Sequence, residues 1–93
     1  MENEGPAREF LAECFLPGVD DAAVRELDER AGRSAAELSA AGDPVRYLGS
    51  ILMREDEVVL CLFAGPAAAV RRAAERAGVP FERILEASRS NPK

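Results

Sequence analysis

Hydrophobic and polar positions alternate in four short segments of this chain and recur every three or four residues in two longer ones. The alternating segments, which predict β-strands, are 9–16, 45–53, 58–64 and 82–87. The segments with the helical period are 20–41 and 66–77. Asp20 is placed to cap the first helix, and Gly78 is placed to end the second. The predicted order of elements is therefore strand, helix, strand, strand, helix, strand.

This order predicts an α+β fold, the ferredoxin-like βαββαβ sandwich. In that topology the four strands form one antiparallel sheet in the order 4-1-3-2, and both helices cover one face of it. The chain has 93 residues, which is the size of a single domain. We expect the domain to span 8–87, with flexible tails at 1–7 and 88–93.

Composition and charge exclude several classes of function. The net charge of −5 and the absence of tryptophan argue against nucleic-acid binding, which needs a basic surface and stacking aromatic residues. No apolar run approaches the length of a membrane span, which is about 18 residues. The first residues are acidic and polar rather than signal-like, so we expect a cytoplasmic protein. Cys14 and Cys61 are accordingly expected to be free thiols.

The alternation within each strand predicts which side chains face the helices. The more apolar parity, assigned to the helix side, places Phe10, Ala12, Cys14 and Leu16 there from the first strand. From the second and third strands it places there Val45, Tyr47, Gly49, Ile51, Leu60 and Leu62. The other parity would form the open face of the sheet, with Glu9, Leu11, Glu13, Phe15, Leu48, Ser50, Leu52, Val59, Cys61, Phe63, Glu82, Ile84 and Glu86. A face this apolar exceeds what a monomer normally exposes, and we therefore predict a homodimer that packs sheet against sheet, as in dimeric α/β barrels.

On this assignment Glu13, Ser50 and Cys61 project together near the centre of the open face, and Glu86 could join them. A carboxylate among apolar side chains suits proton transfer, and a thiol could act as a nucleophile or a soft ligand, with Arg46 or Arg54 as its nearest source of positive charge. The predicted ligand-binding residues are Glu13, Ser50, Cys61, Tyr47, Phe15 and Phe63, and Glu13 is also the candidate catalytic residue. The same polar side chains could instead only hydrogen-bond across a dimer seam.

Three functions fit these residues. The leading one is a small binding or accessory protein that holds a small, largely apolar ligand in a cavity on the open face. The first alternative is a cofactor-independent enzyme, of the cyclase, isomerase or oxygenase type, with Glu13 as acid or base. The second alternative is a metal-binding protein that uses carboxylate and thiol ligands. No cofactor and no metal ligands are predicted, because the chain has no histidine, the commonest general base and metal ligand.

Three stretches carry a resemblance to a known family: REFLAECFLPGV, VRYLGSILMREDEVVLCLFAGP and AAVRRAAERAGVPFERILEA. Within them stand Glu13 followed by LPGV, an aromatic-x-x-Ser at Tyr47 and Ser50, CLF-x-x-P from Cys61 to Pro66, and RAG-x-P near the end. The chain resembles the small bacterial proteins of domain-of-unknown-function family 4242, some of which are described as nickel-binding. The resemblance implies a ferredoxin-like dimer. It does not supply a metal site, since nickel prefers imidazole nitrogen and this chain has none.

Overall fold

The computed structural model describes residues 8–90, and its elements follow the predicted order. They are β1 (Glu9–Phe15), α1 (Asp21–Ala40), β2 (Arg46–Met53), β3 (Val58–Ala64), α2 (Ala67–Arg76) and β4 (Arg83–Ala87). The strands form one antiparallel sheet in the order β2-β3-β1-β4, which confirms the ferredoxin-like α+β fold. Of the tails predicted at 1–7 and 88–93, residues 1–7 and 91–93 lie outside the described residues, and the domain boundaries at 8 and 87 stay a prediction.

The ends of both helices follow from local chemistry. The Asp20 side chain accepts a hydrogen bond of 2.9 Å from the backbone N–H of Ala23, which satisfies one of the free donors of the first turn. Pro66 precedes α2, where the missing proline N–H costs nothing. Gly78 follows α2 with a φ of 72°, a left-handed conformation that glycine adopts without strain.

The hydrophobic core lies between the sheet and the two helices. α1 contributes Leu27, Ala31 and Ala35, and α2 contributes Val70 and Ala73. The small alanines let the helices approach each other closely. The buried Ser34 side chain on α1 donates a hydrogen bond of 2.8 Å to the carbonyl of Ala73 on α2. No helix within residues 8–90 is both long and apolar enough to cross a membrane.

A β-bulge in β2 reverses the predicted facing of half of that strand. Tyr47 pairs with Phe63, but Gly49 pairs with Leu62, so Leu48 is an extra residue without a partner. Because one inserted residue shifts every later side chain to the other face, Ser50 lies toward the helices and Ile51 lies on the open face. The predicted facing was right up to Tyr47 and wrong beyond the bulge.

The facing of β3 and β4 was also wrong. Cys61 pairs with Ala12 and Val59 pairs with Cys14, so the wholly buried Val59, Cys61 and Phe63 belong to the helix side. In β4, Ile84 pairs with Ala12 and packs against the core. Both parities of these strands are apolar, so only the pairing with β1 decides which residues are buried. The residues that share the open face are Glu9, Leu11, Glu13, Phe15, Arg46, Gly49, Ile51, Met53, Val58, Leu60, Leu62, Ala64, Arg83, Leu85 and Ala87.

Candidate functional site

The residues that the sequence grouped into one site lie on two faces of the sheet. Glu13 and Phe15 are on the open face, as predicted. Tyr47, Ser50, Cys61 and Phe63 are on the opposite face, against the helices. The predicted juxtaposition of Glu13 with Ser50 and Cys61 is therefore wrong, because the bulge in β2 and the register of β3 place the last two on the helix side. What ligand-binding or catalytic role each residue has stays a prediction.

On the open face, Glu13 forms an ion pair that the sequence analysis missed. Arg83 of β4 lies directly opposite Glu13 of β1, and its Nε donates a hydrogen bond of 2.5 Å to Oε1 of Glu13. The Glu13 side chain is 28% exposed. Hydrogen bonding to this carboxylate raises the pKa of Arg83. Glu13 is therefore a carboxylate with a bound cation rather than an isolated acid, which is a poor starting point for a general base.

A second ion pair lies further along the same strand. Nε of Arg89 donates a hydrogen bond of 2.8 Å to Oε1 of Glu9, and Leu11 lies opposite Leu85 between the two pairs. The β1–β4 half of the open face thus carries two acids, and each is neutralised within the chain. No residue of the sequence-based site indicated these pairs, because they depend on the register of β4 and on the residues that follow it.

Apart from the exposed Arg46 at the start of β2, the β2–β3 half of the open face is apolar. Its most exposed side chains are Ile51 at 54% and Met53 at 40%, and Phe15 of β1 adds 51% beside them. Val58, Leu60 and Leu62 of β3 are half-buried. The term open face refers to both halves together, that is, to the residues from Glu9 to Ala87 given above. The open face has a projected area on the order of 400 Å², from strand spacings of about 4.8 Å and strand lengths of about 20 Å. Patches of this size are commonly functional.

The helix side holds a separate polar cluster. The Tyr47 hydroxyl donates a short hydrogen bond of 2.5 Å to Asp28 of α1, and the Tyr47 ring packs on Phe63 with centroids 5.0 Å apart. Burial, reinforced by the hydrogen bond to Asp28, raises the pKa of Tyr47. The arrangement fixes the aromatic ring between sheet and helix, and it explains why a tyrosine occurs at a largely apolar position.

Cys14 and Cys61 lie next to this cluster as free, buried thiols, which agrees with the prediction from sequence. Hydrogen bonding with Cys61, together with burial, raises the pKa of Cys14. Hydrogen bonding with Cys14 lowers the pKa of Cys61, whereas burial opposes this change. The two arginines that were proposed as positive neighbours of Cys61 lie elsewhere. Arg54 forms an ion pair with Asp21 at 2.8 Å, and Arg46 is exposed. Full burial makes both thiols inert in the folded state.

Glu86, the other acid proposed for the site, also lies elsewhere. Glu86 lies opposite Phe10 of β1 rather than opposite Leu11, so its side chain is on the helix side of the sheet. At this exposed edge Glu86 accepts two hydrogen bonds from Arg8, of 2.9 and 3.1 Å. These hydrogen bonds lower the pKa of Glu86, as expected for a structural surface ion pair.

The donor set within residues 8–90 does not fit a nickel ion held by one copy of the chain. No group of three or more cysteine, aspartate or glutamate side chains in that part of the chain could hold a metal. The two thiols are enclosed in the core, and Asp28 is occupied by Tyr47. The carboxylates of Glu9 and Glu13 are occupied by arginines. A nickel site would need at least one further ligand beyond these residues.

The fold and the open face define a small ferredoxin-like α+β protein with one sheet face uncovered by its own helices. A family model described as "Nickel responsive protein SCO4226-like" matches residues 10–87, and the chain belongs to that family. This match confirms the family resemblance inferred from the motifs. No curated protein and no solved structure matches the chain.

Proposed function

We propose that this chain is a cytoplasmic, homodimeric accessory protein of a nickel response, which uses the open face to bind a second copy of itself. The apolar open face is the observation that carries the proposal. Phe15, Ile51 and Met53 leave large apolar side chains in water, and burying them against an equivalent surface is favourable by about 25 cal/mol per Å² of apolar area.

The charge of the open face favours an identical partner over a charged one. The whole chain has a net charge of −5, so two copies repel each other over most of their surfaces. On the open face, however, Glu13 is paired with Arg83 and Glu9 with Arg89. Arg46 adds one positive charge at the end of β2 on this face, so two copies can meet there without the repulsion between acidic groups that operates over the rest of their surfaces. A positively charged partner would be attracted to the acidic surface elsewhere on the chain rather than to the open face.

A small ligand fits this arrangement best between the two copies. The predicted cavity is not present on the open face of a single copy, whose surface is a sheet rather than a pocket. When two copies pack together, the Glu13–Arg83 pairs become enclosed by apolar side chains, including Leu60 directly opposite Glu13 on β3. Such a pair offers both an acceptor and a donor to the polar group of a small, largely apolar molecule.

The enzyme alternative receives less support from these contacts. Proton transfer by Glu13 would require the carboxylate to leave Arg83, whose Nε lies 2.5 Å from it. The proposed role in a nickel response rests on the description of the family. We do not assign this role to a metal site within one copy, because the donor side chains of one copy do not fit nickel. The protein would then take part in the response through its dimer or its ligand.

The test is native mass spectrometry and sedimentation velocity of the purified chain and of Ile51→Arg. Ile51 is more than half exposed, so an arginine there is accommodated in a single copy but would place two like charges in the interface. We expect the wild type to be a dimer and Ile51→Arg to be a monomer with an unchanged circular dichroism spectrum. A discrete extra mass on the dimer alone would support the enclosed ligand.

The matched control is Ala36→Arg, which adds the same charge at an exposed position of α1, away from the open face. It should remain dimeric. A wild-type protein that stays monomeric at high micromolar concentration would show that the open face does not bind a second copy. A dimer that survives Ile51→Arg would show that the interface lies elsewhere.

A further inference from the structure

A groove between α1 and α2 gathers positive charge on an otherwise acidic chain. The groove encloses about 160 Å³ and is lined by Arg30, Arg33, Ser34, Glu37, Arg76 and Ala77. Three of these six residues are arginines and one is acidic, whereas the whole chain has a net charge of −5. The fold therefore places a local excess of guanidinium groups in a concave surface, where a bound anion would be partly shielded from water.

Arg30 is held rigidly at one end of the groove. Its Nε donates a hydrogen bond of 2.9 Å to the carbonyl of Ala77, and its Nη2 donates one of 3.4 Å to the carbonyl of Gly78. These carbonyls belong to the C-terminal end of α2, which carries a partial negative charge. Arg30 neutralises this end, so the helix terminus does not repel an anion in the groove.

The other two arginines are available to a ligand. Arg33 is exposed and makes no ion pair with any residue from 8 to 90. Arg76 forms a loose contact with Glu37, with Nη2 at 3.2 Å and Nε at 3.3 Å from the same carboxylate oxygen. Because one oxygen accepts both donors, the pair lacks the two parallel bonds of a strong arginine–carboxylate contact. A phosphate could replace Glu37 and accept both donors on separate oxygens.

We propose that this groove binds a phosphate group, with Arg33 and Arg76 as the donors and Glu37 as a competing internal anion. A volume of about 160 Å³ is sufficient for a phosphate group with a small substituent. The ligand is thus inorganic phosphate or a small phosphate monoester. The groove lies on the helix layer, so the inference does not depend on the open face or on dimer formation.

The test is isothermal titration of the full chain with inorganic phosphate and, separately, with glycerol phosphate, at constant ionic strength set by sodium chloride. We expect saturable binding of at least one of the two, with Arg33→Gln raising Kd about tenfold, the value of one charge-assisted hydrogen bond. Binding of the ester but not of phosphate identifies a phosphorylated small molecule as the ligand class, and binding of both identifies the phosphate group itself.

The matched control is Arg25→Gln, which removes the same charge from the same helix. Arg25 is exposed and does not line the groove, and two turns of helix separate it from Arg33 by about 12 Å along the axis, beyond the Debye length of about 10 Å at 0.1 M salt. We expect Arg25→Gln to change Kd by less than about twofold on that ground. An equal loss in Arg25→Gln and Arg33→Gln would overturn the proposal, since it would indicate diffuse attraction.

The variant Glu37→Gln should change the dissociation constant in the opposite direction. Removal of the competing carboxylate frees Arg76, so Kd should fall by up to about fivefold, the upper value of an exposed ion pair. Weaker binding in Glu37→Gln, or no saturable binding of either probe to the wild type in the millimolar range, would overturn the proposal.

Discussion

At the scale of single residues, Tyr47 offers a direct optical signal of the packing between sheet and helix. It is the one tyrosine of the chain, so the absorbance change that accompanies phenolate formation reports on this side chain alone. Burial and the hydrogen bond to Asp28 raise the pKa of Tyr47 above its ordinary value of about 10. The contribution of the neutral phenol to stability is complete below that ordinary value and is lost as the pH rises above it.

We therefore expect no phenolate absorbance while the chain remains folded as the pH passes about 10, and a rise only together with the loss of far-ultraviolet circular dichroism. Asp28→Asn should bring the phenolate transition to lower pH, because the carboxylate charge is removed while the burial stays. A transition with a midpoint of about 10 in a chain that is still folded would contradict the short Tyr47–Asp28 contact.

A second residue-scale contrast is the one between Glu13 and Glu86. Both are acids on strands, both were grouped in one site from sequence, and both have an arginine partner in the structure. Glu86 lies at an exposed edge, whereas Glu13 is surrounded by Leu11, Phe15 and Leu60. An ion pair at the edge contributes little to stability. The Glu13–Arg83 pair borders the apolar half of the open face, so a partner that covers this half must also accommodate the pair.

At the scale of elements, Gly65 controls how closely the end of β3 approaches the start of β2. Its φ is 148°, and its N–H donates a hydrogen bond of 2.8 Å to the carbonyl of Arg8. A Cβ at this position would lie 2.9 Å from the carbonyl oxygen of Pro44 and 3.2 Å from Cα of Val45. Both obstacles are backbone atoms, so a side chain there cannot be accommodated by a rotamer change.

Gly65→Ala should lower the free energy of unfolding by about 3 kcal/mol or more, from the unfavourable backbone conformation and the overpacking together. Gly78→Ala is the matched control, since its φ is 72° and no atom lies within 4 Å of its added Cβ; it should cost about 1 kcal/mol from the backbone alone. Urea denaturation measures the free energy of unfolding of both variants, and an m-value equal to that of the wild type shows that the values can be compared. Equal losses would show that β2 and β3 separate easily at this end.

The elements also show how far the sequence predicts this fold. β1 was predicted correctly on both faces, because its charged residues alternate with apolar ones, and the helix ends at Asp20 and Gly78 follow local capping rules. β3 is apolar at every position, so its sequence contains no information on which residues are buried. The facing of β2 failed at Leu48, although the sequence carries one signal of the bulge: Gly49 lies inside the strand with a φ of 118°, and a glycine inside a strand often marks a bulge.

The residues of the candidate site could be predicted only where the sequence shows which face of the sheet a strand residue occupies. Glu13 and Phe15 were placed on the open face correctly because β1 alternates regularly. Arg83 was missed, since an arginine beside the apolar pair Ile84 and Leu85 is equally compatible with either face until the register with β1 is known. The groove between the helices was missed for a similar reason, because Arg33 and Arg76 come together only through the packing of α1 on α2.

At the scale of the whole molecule, the distribution of metal-binding donors predicts how nickel will behave. No group of three donors exists within residues 8–90, and the thiols are enclosed. We expect the variant Ile51→Arg, which the proposed function predicts to be monomeric, to retain no stoichiometric nickel after equilibrium dialysis at micromolar metal. We expect Cys61→Ser to retain the same amount as the wild type, since a buried thiol is inaccessible. Metal analysis of the dialysed proteins measures both.

The variants separate the sources of any nickel that the wild type retains. Nickel on the wild type but not on Ile51→Arg would place the ligands between two copies. Stoichiometric nickel on Ile51→Arg would contradict the donor analysis of the single copy, and a loss confined to Cys61→Ser would assign the metal to the core thiols. Circular dichroism of each variant confirms that it is folded before its metal content is compared.

The bulge at Leu48 has a consequence for how large an assembly of this chain can become. β2 and β4 are the edges of the sheet, and strand edges in general template open-ended fibres by pairing with further chains. The bulge interrupts the regular ladder of β2, and β4 is only five residues long with an exposed Arg83. Continuous edge-to-edge growth is thereby discouraged, whereas the proposed contact between two open faces would be complete after one partner. An aggregation-prone chain should thus result from deleting Leu48, even though the deletion leaves every charged residue in place.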